Sequence, residues 1–147
     1  MSSLRQAALK RLARREHSRF ELEEKLATLG TAEEIAAVLD HLEQTGLLSD
    51  QRMAAAYLAS HAARFGTMKL RYALRAKGIA DELIDAGLAE AGDTLASEEA
   101  RARALWRRKY RALPADAREW AKQARFLQSR GFSSDAIRKI LKADDDG

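Results

Sequence analysis

Cysteine is absent from this chain of 147 residues, and proline occurs only once, at Pro114. Without cysteine the protein can form neither a disulfide nor a thiolate zinc site, and nothing in it requires an oxidising compartment. Valine occurs once, and isoleucine and threonine five times each, which is few β-branched residues for a sheet. No apolar run approaches the length of a membrane span or a signal sequence. These absences predict an all-α, soluble protein of the cytoplasm.

Motifs of catalysis and cofactor binding are missing too. The chain has no G-x-x-x-x-G-K phosphate loop, no G-x-S-x-G elbow and no H-E-x-x-H pair. The three histidines stand apart, and His61 has no second metal ligand one turn later, so we expect it in a core or at the boundary of one. Acidic pairs such as Glu98-Glu99 lie at predicted helix starts. A favourable interaction of their negative charge with the helix dipole is sufficient to account for them there. We therefore expect no catalytic residue, no metal, no cofactor and no enzymatic activity.

A helix-ending element occurs three times. The chain reads LATLG from Leu26 to Gly30, LRAKG from Leu74 to Gly78 and LQSRG from Leu127 to Gly131. A leucine four residues before a glycine is typical of a helix that packs one face and ends in a left-handed cap, where glycine avoids a Cβ clash. In the first copy, Leu29 should also be buried. The glycines are 48 and 53 residues apart, a spacing that indicates a tandem array of helical modules.

Capping signals divide the chain into about nine helices. The first is expected to run to about Glu16. Ser18 with Glu21 and Thr31 with Glu34 have the spacing of capping boxes, so the next two helices should begin there. We expect an elongated array of three three-helix repeats over residues 1–48, 49–92 and 93–147, the last with a short acidic tail, Asp144 to Gly147.

Basic residues concentrate toward the end of the chain. Residues 1–50 carry seven basic and nine acidic side chains, residues 51–92 six and four, and residues 93–147 thirteen and nine. A helix expected to reach Leu113 holds the densest basic set: Arg101, Arg103, Arg107, Arg108, Lys109 and Arg111. This set could bind phosphates or an acidic partner, or it could be a solvated basic helix. Trp106 and Tyr110, one turn apart, could stack on bases, but we favour burial because large rings at helical spacing usually pack in a core.

A second basic set lies in the middle of the chain: Lys69, Arg71, Arg75 and Lys77. Leu70 and Leu74 define the buried side of this predicted helix, so Arg71 and Arg75 should point into solvent. Two like charges one turn apart repel slightly, and a structural role would favour alternating signs. The spacing therefore favours a partner surface.

Four local sequences, taken in order, resemble one family. They are Arg14-Arg15-Glu16-His17-Ser18 with Glu21-Leu22 and Lys25-Leu26; Gly46-Leu47-Leu48-Ser49-Asp50; Gly66 through Lys69-Leu70 to Leu74 and Lys77-Gly78-Ile79; and Arg125-Phe126-Leu127 with Arg130-Gly131-Phe132-Ser133. They resemble the motifs of RecX-type regulatory proteins, the modulators of the RecA recombinase, over about residues 8 to 141. The main departure is a connection one residue shorter between Gly30 and Ile35 than between Gly78 and Ile84.

The resemblance implies three tandem three-helix repeats and a monomer without enzymatic activity of its own. Such proteins bind the RecA filament on DNA, occupy its groove, suppress recombination, ATP turnover and protease stimulation, and so act in DNA repair and the SOS response. Candidate filament-binding residues are then Arg14, Arg15, Lys69, Arg71, Arg75 and Lys77. Candidates near DNA, single- or double-stranded and without sequence preference, are the Arg101 to Arg111 set with Arg125 and Arg130. For Arg14 and Arg15 a plain salt-bridged surface stays open, because acidic residues surround them.

Two further interpretations compete with this one. The same basic helices could belong to a sequence-indifferent nucleic-acid binder without a recombinase partner. A helix-turn-helix transcription factor is a weaker alternative, because asparagine is absent and the helices offer mainly arginine and lysine to read bases. Dependence of DNA binding on ATP-loaded recombinase would separate these alternatives.

Overall fold

The computed structural model of the protein describes residues 3–92 and 95–142, and the acidic tail, Asp144 to Gly147, lies outside them. The described residues form helices joined by turns, without a strand. The helices are α1 (Ser3–Leu12), α2 (Arg19–Leu26), α3 (Ala32–Gln44), α4 (Asp50–His61), α5 (Thr67–Ala76), α6 (Asp81–Glu90), α7 (Leu95–Lys109), α8 (Ala117–Ser129) and α9 (Ser134–Leu141). The predicted all-α class is confirmed.

Both predicted capping boxes are present. The backbone N–H of Glu21 donates to Ser18 Oγ at 3.1 Å, and that of Ser18 donates to Glu21 Oε1 at 2.9 Å. Thr31 and Glu34 exchange the same two bonds at 3.1 and 2.8 Å. Each box satisfies two backbone donors that a helix start would otherwise leave unpaired, so α2 and α3 begin where the sequence predicts.

Two of the three predicted left-handed helix ends are confirmed. Gly78 and Gly131 have φ of +78° and +86°. After each glycine, the N–H of the next residue donates back to the leucine carbonyl one turn earlier: Ile79 to Leu74 at 3.1 Å and Phe132 to Leu127 at 3.3 Å. These Schellman-type ends bury Ile79 and Phe132.

The third predicted helix end, at Gly30, is wrong. Helix α2 stops earlier, at Leu26, and Gly30 is not among the glycines with positive φ. Gly30 instead lies close to α1, since a Cβ built on it would come within 2.8 Å of Leu4 Cδ1. Leu29, expected to be buried, is 53% exposed, because the turn after α2 carries it off the helical face of Leu26. The LATLG pattern thus reflects a close helix approach.

Two other helices end earlier than the sequence predicts. Helix α1 stops at Leu12 and not near Glu16, because a tight turn with Arg14 N–H donating to Arg11 O at 3.1 Å leads into the α2 cap. Helix α7 stops at Lys109 and not at Leu113. The helical pattern of apolar residues continued past both turns, and local periodicity could not locate them.

The described residues group into two compact units. The first unit comprises the chain up to Tyr57 together with Leu74–Gly87. Its core is formed where α1, α2 and α3 pack on one another, and consists of Leu4, Ala8, Leu22, Leu26, Ile35, Leu39, Leu42 and Leu48. Ser18, fully buried, donates its hydroxyl to Lys77 O at 2.6 Å, which ties the start of α2 to the turn after α5.

The second unit comprises Leu58–Ala73 and the described residues from Leu88 onward. Helix α9 packs on α7 and α8 over a core of Ala102, Leu105, Leu127, Phe132, Ile137, Ile140 and Leu141. The residues before α5 lie against the end of α8, where Gly66 N–H donates to Arg130 O at 2.7 Å. A Cβ on Gly66 would come within 2.4 Å of Gly131 O, so this approach requires glycine. Gly66 therefore permits the close contact between the two backbones.

Candidate partner and nucleic-acid interfaces

Four cations of the second unit lie on the Phe65 and Phe126 rings: Arg64, Lys69, Lys109 and Arg130. The last three lie around the end of α8. Lys69 Nζ is 4.9 Å from the Phe65 ring centroid and 3.2 Å from Ser129 O. Lys109 Nζ and the Arg130 guanidinium carbon are 4.3 and 5.2 Å from the Phe126 ring centroid. We call Lys69, Lys109 and Arg130 the α8 cation cluster. Because cation–π contacts restrict the long side chains, the cluster presents positive charge in a defined arrangement.

Trp106 and Tyr110 are committed to packing, as expected. The Trp106 indole N–H donates to Gln123 Oε1 at 2.8 Å, and Tyr110 meets Phe126 edge-on with ring centroids 5.8 Å apart. Both side chains are half-buried. Neither ring is therefore presented for stacking on a base.

The other cations of α7 and α8 differ in exposure. Arg101 and Arg103 are half-buried, and one Arg101 amino group donates to Phe65 O at 3.4 Å. Of the remaining candidates for DNA contact, Arg107, Arg108, Arg111 and Arg125 are exposed. A phosphate could reach this exposed set, whereas Arg101 also serves the fold.

Helix α5 presents a surface that sequence reasoning missed. Met68 is 65% exposed and Tyr72 is 75% exposed, one turn apart. The signal was available, since both positions lie off the side that Leu70 and Leu74 define. Arg71 was expected to point into solvent but is half-buried. It directly follows Leu70 and so lies beside the buried stripe of the helix, not opposite it.

Arg75 is exposed, as expected, and is paired. Its Nε lies 2.8 Å from Asp81 Oδ1, and this hydrogen bond raises the pKa of Arg75. Asp81 begins α6, where a carboxylate is also favoured by the helix dipole. A partner carboxylate at Arg75 would therefore compete with an existing bond.

Arg15 and Lys77 of the first unit meet at one carboxylate. Glu21 Oε2 lies 3.2 Å from an Arg15 amino group and 3.6 Å from Lys77 Nζ. Burial alone would raise the pKa of Glu21, but the Ser18 N–H and the two cations outweigh it and hold the pKa below its usual value. Arg14, the residue before Arg15, is exposed. The salt-bridged alternative thus describes Arg15 and Lys77 better than Arg14.

Glu98 has a structural role beyond the expected dipole interaction. It is 5% exposed and accepts backbone N–H bonds from Ser133 at 2.9 Å and Thr67 at 3.3 Å. Burial raises its pKa, but these bonds outweigh burial and keep the pKa below the usual value. Glu98 thereby joins the starts of α5 and α9 to α7.

Neither a metal-site grouping nor a membrane span occurs in residues 3–92 and 95–142. These residues include no group of three or more His, Asp or Glu side chains placed to hold a metal ion. His61 is half-buried and stacks on Phe65 with centroids 6.2 Å apart, which confirms its boundary position. None of the helices in this part of the chain is long and apolar enough to cross a membrane.

The helices of residues 3–92 and 95–142 define the class as an all-α, helical-repeat protein with cations on its surface. Family models of RecX match the chain in order, the first three-helix domain over residues 5–42, the second over 49–88 and the third over 97–141. The chain belongs to the RecX family of regulatory proteins. The resemblance seen in its four motifs and the predicted three three-helix repeats are thereby confirmed.

Relatives and solved structures agree with this assignment. The chain is 50% identical to regulatory protein RecX of Leptothrix cholodnii, covering 97% of this chain and 90% of that protein. It is 42% identical to regulatory protein RecX of Chromobacterium violaceum, covering 98% and 93%. A crystal structure of a regulatory protein RecX matches with a TM-score of 0.79 at 27% identity, over 95% of this chain and 71% of that one. RecX from Lactobacillus salivarius shares the fold, with a TM-score of 0.79 at 23% identity, over 95% and 93%.

Proposed function

We propose that this protein is a negative regulator of the RecA recombinase. It binds the RecA filament on DNA and inhibits its ATPase, strand-exchange and coprotease activities. The observation that carries the proposal is the ordered match of all three RecX domains along the chain. We further propose that it acts as a cytoplasmic monomer without enzymatic activity, with repeats over residues 1–48, 49–92 and 93–147.

We assign DNA contact to the second unit. Arg107, Arg108, Arg111 and Arg125 are exposed, and the α8 cation cluster adds three cations held on phenyl rings. Lysine and arginine bind phosphates whatever the base sequence, which supports non-specific contact with single- or double-stranded DNA. Because Lys69 lies against the end of α8, we move it from the filament-binding set to this one.

We assign recombinase contact to α5. Exposed Met68 and Tyr72 supply the apolar and aromatic area typical of interface hot spots, and Arg71 lies between them in sequence. Arg75 in the last turn of α5 and Lys77 just after the helix extend its basic character. A filament protomer with an acidic, partly apolar surface would complement this helix.

The rival function is nucleic-acid binding without a recombinase partner. The observation that favours it is the α8 cation cluster itself, since positive charge in a defined arrangement binds DNA without help. The two functions predict different stoichiometry.

Substoichiometric protein is expected to slow DNA-dependent ATP hydrolysis by recombinase on single-stranded DNA. A regulator that binds a filament affects many protomers at once, whereas competition for DNA needs roughly stoichiometric protein. Steady-state ATP hydrolysis at increasing ratios of protein to recombinase measures this. Unchanged hydrolysis at equimolar protein, with the recombinase demonstrably active, would sink the proposal.

Two double variants are expected to separate the two surfaces. Arg71→Glu with Arg75→Glu should weaken filament inhibition more than binding to naked DNA. Arg107→Ala with Arg108→Ala should do the reverse, and should reduce the log–log salt dependence of DNA binding by about 0.7 for each single-strand phosphate that the protein no longer neutralises. Inhibition assays and salt titrations of DNA binding test both.

Lys10→Ala with Lys25→Ala removes two cations of the first unit and is the matched control. Thermal melts establish that each variant folds. Changes at exposed charges usually alter stability by less than about 0.5 kcal/mol, and the melt is decisive for Arg71, which is half-buried. If both double variants reduced inhibition and DNA affinity in the same proportion, the two surfaces would be one, and the rival function would gain weight.

A further inference from the structure

A cleft of about 480 Å³ opens in the first unit. None of the residues that the proposed function assigns to DNA or recombinase contact lines it, although Arg14 and Arg15 were candidates for filament contact from the sequence. The end of α1, the loop after it and the turn between α3 and α4 form its walls. Its floor is apolar and contains Leu9, Leu12 and Leu47, whereas its rim carries Arg14, Arg15 and Arg52. We call it the α1–α3 cleft.

The floor of the cleft is held in place by the fold. Leu9 and Leu12 pack on the core of the first unit. Leu47 follows Gly46, whose φ of +80° ends α3, and its N–H donates to Leu42 O at 2.9 Å. This helix end leaves Leu47 46% exposed at the cleft. Exposure of an apolar side chain to water is unfavourable, so the fold and not solvation holds Leu47 there. The apolar floor is therefore present before any ligand binds.

The rim carries an excess of positive charge. Its guanidinium groups outnumber its carboxylates, since Glu16 is the acidic residue in the lining. Glu16 holds Arg52 Nε at 2.9 Å, and Arg15 donates to Glu16 O at 2.8 Å and to Glu21 at 3.2 Å. A guanidinium group has five N–H donors, so these bonds orient Arg15 and Arg52 and leave donors for a ligand. Arg14 is exposed beside them.

We propose that the α1–α3 cleft binds an acidic, leucine-containing segment of a partner protein. An apolar side chain of the segment covers the leucine floor, and neighbouring carboxylates pair with the arginine rim. Nucleic acid fits the cleft poorly, because its lining has no aromatic ring for a base and Glu16 repels phosphates. The inference requires neither RecA nor DNA and stands apart from the proposed function.

The probe is a synthetic peptide of about twelve residues in which leucine alternates with aspartate and glutamate. Added to the isotope-labelled full chain, it should shift the backbone amide signals of Arg14, Gly46 and Leu47. Two matched peptides, one with every leucine changed to serine and one with every acid changed to its amide, should shift them at least tenfold less at equal concentration. Shifts confined to other residues, or equal shifts with all three peptides, would refute the proposal.

Variants of the cleft supply the second arm. Leu47→Asp and Arg14→Glu should each weaken peptide binding by about tenfold or more, a loss of about 1.4 kcal/mol. Leu29→Asp and Lys25→Glu change a similarly exposed leucine and an exposed cation elsewhere in the first unit and should leave affinity unchanged. Arg14→Glu carries the test alone if Leu47→Asp fails to fold. Equal affinity across cleft and control variants, or displacement of the peptide by a single-stranded oligonucleotide, would overturn the assignment.

Discussion

Phe132→Ala is expected to lower the free energy of unfolding of the second unit by about 3 kcal/mol or more, because it removes a large ring from a closed core. Phe132 is 2% exposed and packs in the core with Leu127, Ile137 and Ile140. Its N–H also closes the end of α8 on Leu127 O at 3.3 Å. The cavity and the loosened end of α8 would both destabilise the contacts of Phe132 with its neighbours in this core. Urea denaturation followed by circular dichroism measures the loss.

Amide hydrogen exchange should show which helices lose stability in the Phe132→Ala variant. Amides of α7, α8 and α9 are expected to lose protection before those of α1, α2 and α3, because the Phe132 cavity lies in a separate core. Tyr72→Ala removes an exposed aromatic side chain and serves as the control, with an expected cost below about 0.5 kcal/mol. Uniform loss of protection across both cores would contradict the expectation.

Gly131→Ala is expected to cost about 3 kcal/mol, well above the same change at Gly46. Both glycines have positive φ, +86° and +80°, so alanine is strained at each by about 1 kcal/mol. At Gly131 a Cβ would also lie 2.2 Å from Lys69 Cβ and 2.6 Å from Lys69 N, whereas nothing lies within 4 Å at Gly46. Backbone atoms cannot move away as the end of a flexible side chain can. The cost of the clash with Lys69 therefore adds to the cost of the left-handed conformation.

Thermal unfolding of the two alanine variants tests this difference. Gly46→Ala isolates the cost of the left-handed conformation, and the excess at Gly131 measures the close approach to α5. Equal costs at the two positions would mean that the approach is absent in solution. Gly131→Ala should also weaken DNA binding if Lys69 contributes to it, because the clash displaces Lys69 from the end of α8.

Local signals explain most of what the sequence predicted correctly about the helices. A capping box needs residues three positions apart, as Ser18 and Glu21 are, and its hydrogen bonds form whatever the rest of the chain does. The helix ends at Gly78 and Gly131 were predictable for the same reason. Gly30 shows the limit of this reasoning, because its close approach to Leu4 depends on how α1 packs and leaves no mark in the LATLG pattern.

Candidate site residues were identified by type, but their grouping was not predictable. Lys69 and Arg130 belong to segments predicted to have different partners, yet Lys69 Nζ bonds to Ser129 O across 60 positions of sequence. In the sequence Glu98 could not be distinguished from any other acidic residue at a helix start. Its hydrogen bonds to Thr67 and Ser133 depend on the packing of three helices, which the sequence does not show. Charge composition alone cannot distinguish a cation that holds the fold from one that is available to a partner.

The sequence by itself determined the helical class, the three-repeat organisation and the family, because capping, periodicity and motif order are properties of neighbouring residues. Only the tertiary structure decided which cations share a surface, that Trp106 and Tyr110 are occupied by packing, and that Met68 and Tyr72 are exposed. The α1–α3 cleft likewise exists only where the end of α1 meets the turn after α3. The physical reason is common to all of them: burial and proximity are set by contacts between segments far apart in sequence, and these contacts form only when the helices pack.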